Sequence, residues 1–97
     1  MPNTPHNQIV SPKSIFAYRL KEARKRAGLS QERLGVLAGI DEFSSSARIN
    51  QYEKGKHVPD LETAERLAAV LNVPMPYLYS KDDDLAEWIL SFRSHID

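Results

Sequence analysis

"SSSARINQYEKG", residues Ser44 to Gly55, sets three hydroxyls in a row ahead of a polar stretch whose only apolar members are Ala47, Ile49 and Tyr52, and it closes on a glycine. Ser44, Ser45 or Ser46 can accept hydrogen bonds from the free N–H groups of a helix start, and Gly55 can take the left-handed conformation that ends a helix. The segment is therefore predicted to be a short helix anchored along one edge by Ile49 and Tyr52. Ser46, Ala47, Asn50 and Gln51 are left with nothing in the protein to bury against. An outer face of short side chains and amides is suited to reading a groove.

Outward from this segment, the punctuation gives helices and no strand. Residues 1–10, with Pro2 and Pro5, read as a flexible N-terminal arm. Ser11 followed by Pro12 is an N-cap and a first-turn proline, and Phe16, Leu20, Ala23 and Ala27 recur at helical spacing up to Gly28. Ser30 caps a second helix in which Leu34, Leu37 and Ala38 face inward, Gly35 allows close approach of a neighbour, and Gly39 closes the end. After Val58-Pro59, Asp60 caps a helix with the stripe Leu61, Ala64, Leu67, Ala68 and Leu71, which runs as far as Asn72. Met75 to Tyr79 reads as one further short turn. Asp82, Asp83 and Asp84 then place negative charge at the start of an amphipathic helix carrying Leu85, Trp88, Ile89, Phe92 and Ile96 on one face. The expected organisation is an arm over 1–10, a domain over 11–80 and a C-terminal helix over 81–97.

Bulk properties narrow the class. A chain of 97 residues suits one small domain. With no cysteine there is neither a disulfide framework nor a thiolate zinc site, and neither a metal nor a cofactor is expected. No apolar run approaches the roughly 20 residues needed to span a bilayer, and MPNTPHNQIV lacks the basic and apolar regions of a secretion signal, so a cytoplasmic location is expected and no membrane partner. The net charge is zero, but its distribution is uneven: residues 11–58 hold ten Lys or Arg against five acids, and residues 59–97 hold three against eight. Such a division turns the first half toward a polyanion.

Catalysis finds no support. His6, His57 and His95 stand in three separate contexts without a nucleophile beside them, and His57 reads as a loop residue or a phosphate contact. The aspartate triplet lacks the alternating acids and central glycine of a calcium loop, and helix capping accounts for it better.

The run from Arg19 to Tyr79, in particular "RLKEARKRAGLSQERLGVLAG" and "INQYEKGKHVPDLETAERLAAVLNVPMPYLY", resembles the phage Cro and lambda-repressor family of helix-turn-helix proteins, the Xre-like small transcriptional regulators. The resemblance rests on Gly28-Leu29-Ser30-Gln31-Glu32, on Ile49, Tyr52, Glu53 and Gly55 at the end of the third helix, and on Pro59-Asp60-Leu61. It implies an all-α fold: a compact five-helix repressor-like helix-turn-helix domain with an additional C-terminal amphipathic helix. It also implies that the second helix crosses a DNA backbone while the third lies in the major groove. On that pattern Ser45, Ser46, Ala47, Arg48, Asn50 and Gln51 are the candidate base readers, since an amide pairs with adenine and Ala47 suits a thymine methyl. Arg48 suits guanine or a phosphate. Ser30 and Gln31, at a helix N-terminus, together with Arg33, Lys54 and Lys56, are the candidate phosphate contacts. The acid of the E-x-G ending pairs in this family with an arginine near the end of the first helix, which implies an Arg24–Glu53 ion pair.

One departure stands out. Between Gly39 and Ile49 this chain holds about four residues more than the family's tight turn; Ile40 and Phe43 are apolar enough to tuck the extra loop onto the body, and Asp41 and Glu42 would repel phosphate, so either the loop folds away from the groove or the third helix enters at an altered angle. The function implied is sequence-specific binding of double-stranded DNA by a small prokaryotic or phage regulator, a repressor, with no enzymatic activity. Its partner is an operator with inverted half-sites bound by a homodimer. An antitoxin with a protein partner, or a protein-interaction adaptor on the same fold, are the alternatives. Leu85, Trp88, Ile89 and Phe92 either form the dimer face or pack back near Met75, Tyr77 and Leu78.

Overall fold

Five α-helices and one 3-10 turn, with no strand, make up residues 11–96, which a computed structural model describes, with side chains as far as Phe92. The expected arm over 1–10 lies outside the described residues. Helix α1, Pro12–Ala27, starts where Ser11 Oγ accepts from the Ser14 N–H at 3.2 Å, and stops where Gly28 turns left-handed at φ 71°. Phe16, Leu20 and Ala23 form its buried stripe. Helix α2, Gln31–Leu37, is capped by Ser30 Oγ, which accepts from the Arg33 N–H at 3.0 Å. Leu34 and Ala38, four apart, reach the core, but Leu37 is exposed, contrary to the expectation. It lies beside the inward stripe, and Ile40 fills the core position beyond it.

The third helix corrects the sequence reading most. Helix α3 spans Glu42–Glu53, and its cap is Asp41, whose Oδ2 accepts from the Phe43 N–H at 3.0 Å. The triple serine thus lies inside the helix, and the enlarged turn is no longer a loop: the extra residues add length to the helix start. Ile40 is buried as expected, whereas Phe43 is 100 % exposed. Ser45, expected on the outer face, is fully buried and donates its hydroxyl to the Glu32 carbonyl at 2.7 Å. It fits because Gly35 faces it. A Cβ at position 35 would overlap Ser45 Oγ and lie 3.1 Å from Ser45 Cβ and 3.2 Å from Ile49 Cγ1.

Helix α4, Leu61–Leu71, is capped by Asp60, which accepts from the Thr63 N–H at 2.8 Å, a bond that holds the Asp60 carboxyl below its ordinary pKa. Its inward stripe is Ala64, Leu67, Ala68 and Leu71, while Leu61, in the first turn, stays exposed against expectation. The 3-10 turn Met75–Tyr79 buries Tyr77 and Leu78, and helix α5, Asp83–Ile96, starts where Asp82 Oδ1 accepts from the Leu85 N–H at 3.0 Å. Phe16, Leu20, Leu34, Ile49, Leu67, Tyr77 and Leu78 are the large side chains of the single core, with the Phe16 ring edge-on to Tyr52 at 6.4 Å.

Helix α5 docks on the body through Ala86, which is fully buried, and through the partly buried Ile89 and Leu90. Leu85, Trp88 and Phe92 face outward, and the rings of Trp88 and Phe92 stack at 5.3 Å. Of the four residues expected to act together, Ile89 packs back on the body, while Leu85, Trp88 and Phe92 do not. Buried Arg19 clamps its start: Nε donates to the Ser80 carbonyl at 2.9 Å and Nη2 to Asp83 Oδ1 at 2.9 Å, with the guanidinium near the Tyr18 and Tyr77 rings. Among the described residues no helix is long and apolar enough to cross a membrane.

The Gly35 contact gives a direct test. Alanine is the better helix former by up to about 1 kcal/mol, yet Gly35→Ala is expected to destabilise the protein by about 1–3 kcal/mol in urea unfolding, because Ser45 cannot withdraw. Adding Ser45→Ala, which removes the overlapping hydroxyl, is expected to restore part of the loss. A Gly35→Ala protein as stable as the original would show that the two helices sit further apart.

Candidate nucleic-acid interface

Helix α3 turns Ser45, Ile49 and Tyr52 toward the body, and the 3.6-residue period then sends Ser46, Ala47 and Gln51 the other way. Ser46, Ala47 and Arg48 are exposed, and Asn50 and Gln51 are half-buried at the margins of the face. Gln51 lines an open cleft with Ala47, Arg48, His57, Asp60 and Thr63, so the outer face of α3 continues into the start of α4. Lys54 ends the helix as its C-cap, and Lys56 follows it, both exposed. Arg33 lies exposed on α2 and lines a shallow cleft with Ser30, Glu32 and Glu42.

The inner end of the face is held by a cluster around Glu53. Arg24 Nε donates to Glu53 Oε2 at 2.6 Å and Nη2 donates to Oε1 at 3.0 Å, which is the ion pair implied by the resemblance. The pair is screened from water, with side-chain exposures of 14 % and 3 %. Arg24 also donates to the Leu29 carbonyl at 2.9 Å, so one guanidinium joins α1, the connection to α2, and the end of α3. The hydrogen-bonded Glu53 carboxylate raises the Arg24 pKa above its ordinary value. The guanidinium stays charged at any physiological pH.

Gln31, half-buried, belongs to this cluster. Its Nε2 donates to Glu53 Oε1 at 3.1 Å and to Asn50 Oδ1 at 3.3 Å, so the side-chain donors expected at a phosphate are here shared with these two oxygens. The bond has a second effect. With its carbonyl oxygen accepting from Gln31, Asn50 offers the face mainly its NH2 group. Ser30 Oγ accepts as the α2 cap, which leaves its O–H able to donate. Phe43, expected against the body, stands exposed on the same helix, four residues before Ala47 and eight before Gln51. Among the described residues no group of acids and histidines could hold a metal ion.

The helix-turn-helix family model matches residues 20–78, more than half of the chain. The chain belongs to the helix-turn-helix family. It is 36% identical over 64 residues to the SPbeta prophage-derived uncharacterized HTH-type transcriptional regulator YonR of Bacillus subtilis (strain 168), which covers 66% of this chain and 56% of the relative. To the HTH-type transcriptional regulator ImmR of the same organism it is 34% identical over 65 residues, covering 67% of this chain and 48% of the relative. The chain thus spans about half the length of the curated relatives it matches. Among solved structures it is similar to the transcriptional regulator BswR, with a TM-score of 0.74 and 53% identity over 82% of this chain and 86% of that one. In this helix-turn-helix protein α2 and α3 are the two helices of the motif, and the Arg24–Glu53 cluster braces the second.

Glu53→Ala strands a partly buried guanidinium and is expected to lower stability by about 2–3 kcal/mol in urea unfolding. Replacing both partners, Arg24→Met with Glu53→Met, is expected to cost less than the single change, because no unpaired charge remains. A single change costing well under 1 kcal/mol would show that the pair is solvated.

Proposed function

We propose that this protein binds double-stranded DNA sequence-specifically as a small prokaryotic or phage transcriptional regulator, and that it represses by occupying its operator. The observation that carries the reading is the outer face of α3: short polar side chains on a helix braced from behind, with Ser46, Ala47 and Arg48 exposed among the described residues and cations at its end. Helix α3 enters the major groove and α2 crosses the backbone. Gln51, with both amide groups available, pairs with adenine, and Ala47 meets a thymine methyl. Asn50, through its NH2, suits a base acceptor such as guanine O6 or thymine O4, Ser46 donates or accepts, and Arg48 reaches guanine or a phosphate. Lys54, Lys56 and Arg33 hold phosphates and set the position without reading sequence. Relatives named as transcriptional regulators support the role.

One reading helix covers only a few base pairs, so the operator consists of two inverted half-sites and the protein acts as a homodimer. The exposed side of α5 supplies the contact. Trp88, 58 % exposed and stacked on Phe92 beside Leu85, is a large apolar surface left over after the other side of the helix has docked.

Selection of duplexes from a random pool is expected to enrich an inverted repeat, and failure of the folded protein to enrich any sequence would overturn the proposal. On that operator Gln51→Ala is expected to cost about 1–3 kcal/mol and to relax preference at one base pair per half-site. Lys54→Ala is expected to weaken all duplexes alike and to flatten the dependence of log K on log salt by about one charge per protomer. For the dimer, sedimentation of Trp88→Asp with Phe92→Asp is expected to give the monomer mass. A folded variant that keeps the dimer mass would exclude this face.

A further inference from the structure

The most exposed large apolar side chain of the described protein stands on the helix proposed to read DNA. Phe43 is 100 % exposed, in the first turn of α3, in the length that the chain adds to this helix. At about 100° per residue, Phe43 lies about 40° around the axis from Ala47 and about 80° from Gln51, and it precedes them by about 6 and 12 Å along the axis. It is on the side opposite Ser45 and Ile49, both fully buried. Phe43, Ala47 and Gln51 are therefore successive steps of one outward stripe.

We infer that Phe43 is a further specificity-determining residue, packing its ring on the 5-methyl group of a thymine at the outer end of each half-site. This rests on the groove reading proposed above. Three observations select that contact. A phenyl ring has no hydrogen-bonding group, and the apolar group that base edges present in the major groove is the thymine methyl. Its neighbours Asp41 and Glu42 are acids, and the Asp41 carboxylate is turned back onto the Phe43 N–H, so this end of the helix does not attract a phosphate. The stripe is continuous with Ala47 and Gln51, so a helix lying in the groove carries Phe43 with it at about the spacing of two base-pair steps beyond Ala47.

The test uses the full chain and the duplex it selects. Each thymine of the selected site is replaced in turn by deoxyuridine, which lacks only the methyl group, and binding is compared for the original protein and Phe43→Ala. Because the Phe43 side chain is fully exposed among the described residues, the variant is expected to fold, which its circular dichroism checks. At one thymine per half-site the original protein is expected to lose about fourfold in affinity, the value of one buried methyl, and Phe43→Ala to lose nothing further there. Phe43→Leu is expected to retain part of the discrimination. Equal losses for both proteins at every thymine, or a selected site without thymine at its outer positions, would overturn the assignment of Phe43 while leaving the groove reading intact. No enriched sequence with the original protein would remove both.

Discussion

A partly buried guanidinium holding a carboxylate with two hydrogen bonds sets the geometry on which the rest of the molecule depends. Arg24 belongs to the last turn of α1 and Glu53 to the last turn of α3, so their contact closes the ring of helices around Leu34 and Ile49. The same guanidinium holds the Leu29 carbonyl, and the same carboxylate accepts from Gln31, which in turn touches Asn50. Buried ion pairs contribute little net stability compared with apolar packing, because both charges have been taken out of water. What the pair supplies is direction. It leaves α3 one way to lie against α2, and the outer face of α3 is therefore presented at a defined angle.

Local signals were legible wherever a single residue decides a boundary. Ser11, Ser30 and Asp60 cap the helices they were read to cap, and Gly28 and Gly55 are left-handed at the ends they were read to close. The start of α3 was not legible, because Asp41 and the three serines are all capable caps. The choice is made by a tertiary contact, the fit of Ser45 against Gly35, which no local preference encodes. Leu37 and Leu61 are apolar and fit the core by type, yet they are the last residue of α2 and the first of α4, where no neighbouring element covers them. Gln51 and Ala47 were legible as what remains once Ile49 and Tyr52 are assigned inward. The Gln31 to Asn50 bond depends on how two helices meet, and sequence spacing carries no sign of it.

Burial also qualifies the charge division along the chain. Of the cations that make the first half basic, Arg19 and Arg24 are used inside the protein, one bound to Asp83 and two carbonyls, the other to Glu53. The field at the proposed interface comes instead from exposed Arg33, Arg48, Lys54 and Lys56. Arg19 meanwhile joins the basic half to the acidic one, since its partner Asp83 stands at the start of α5.

The lengthened α3 also says something about how such a protein can change. An insertion that continues a helix keeps its new residues on the same face only at certain lengths: four residues rotate the pattern by about 40°, and seven or eleven by about 20°, whereas two rotate it by about 200°. Here Gly35 and Ser45 clamp the helix in place, so the added residues cannot slip inward to compensate. For this helix, only a few insertion lengths would keep the outward stripe in line, each adding reach in steps of about one helical turn.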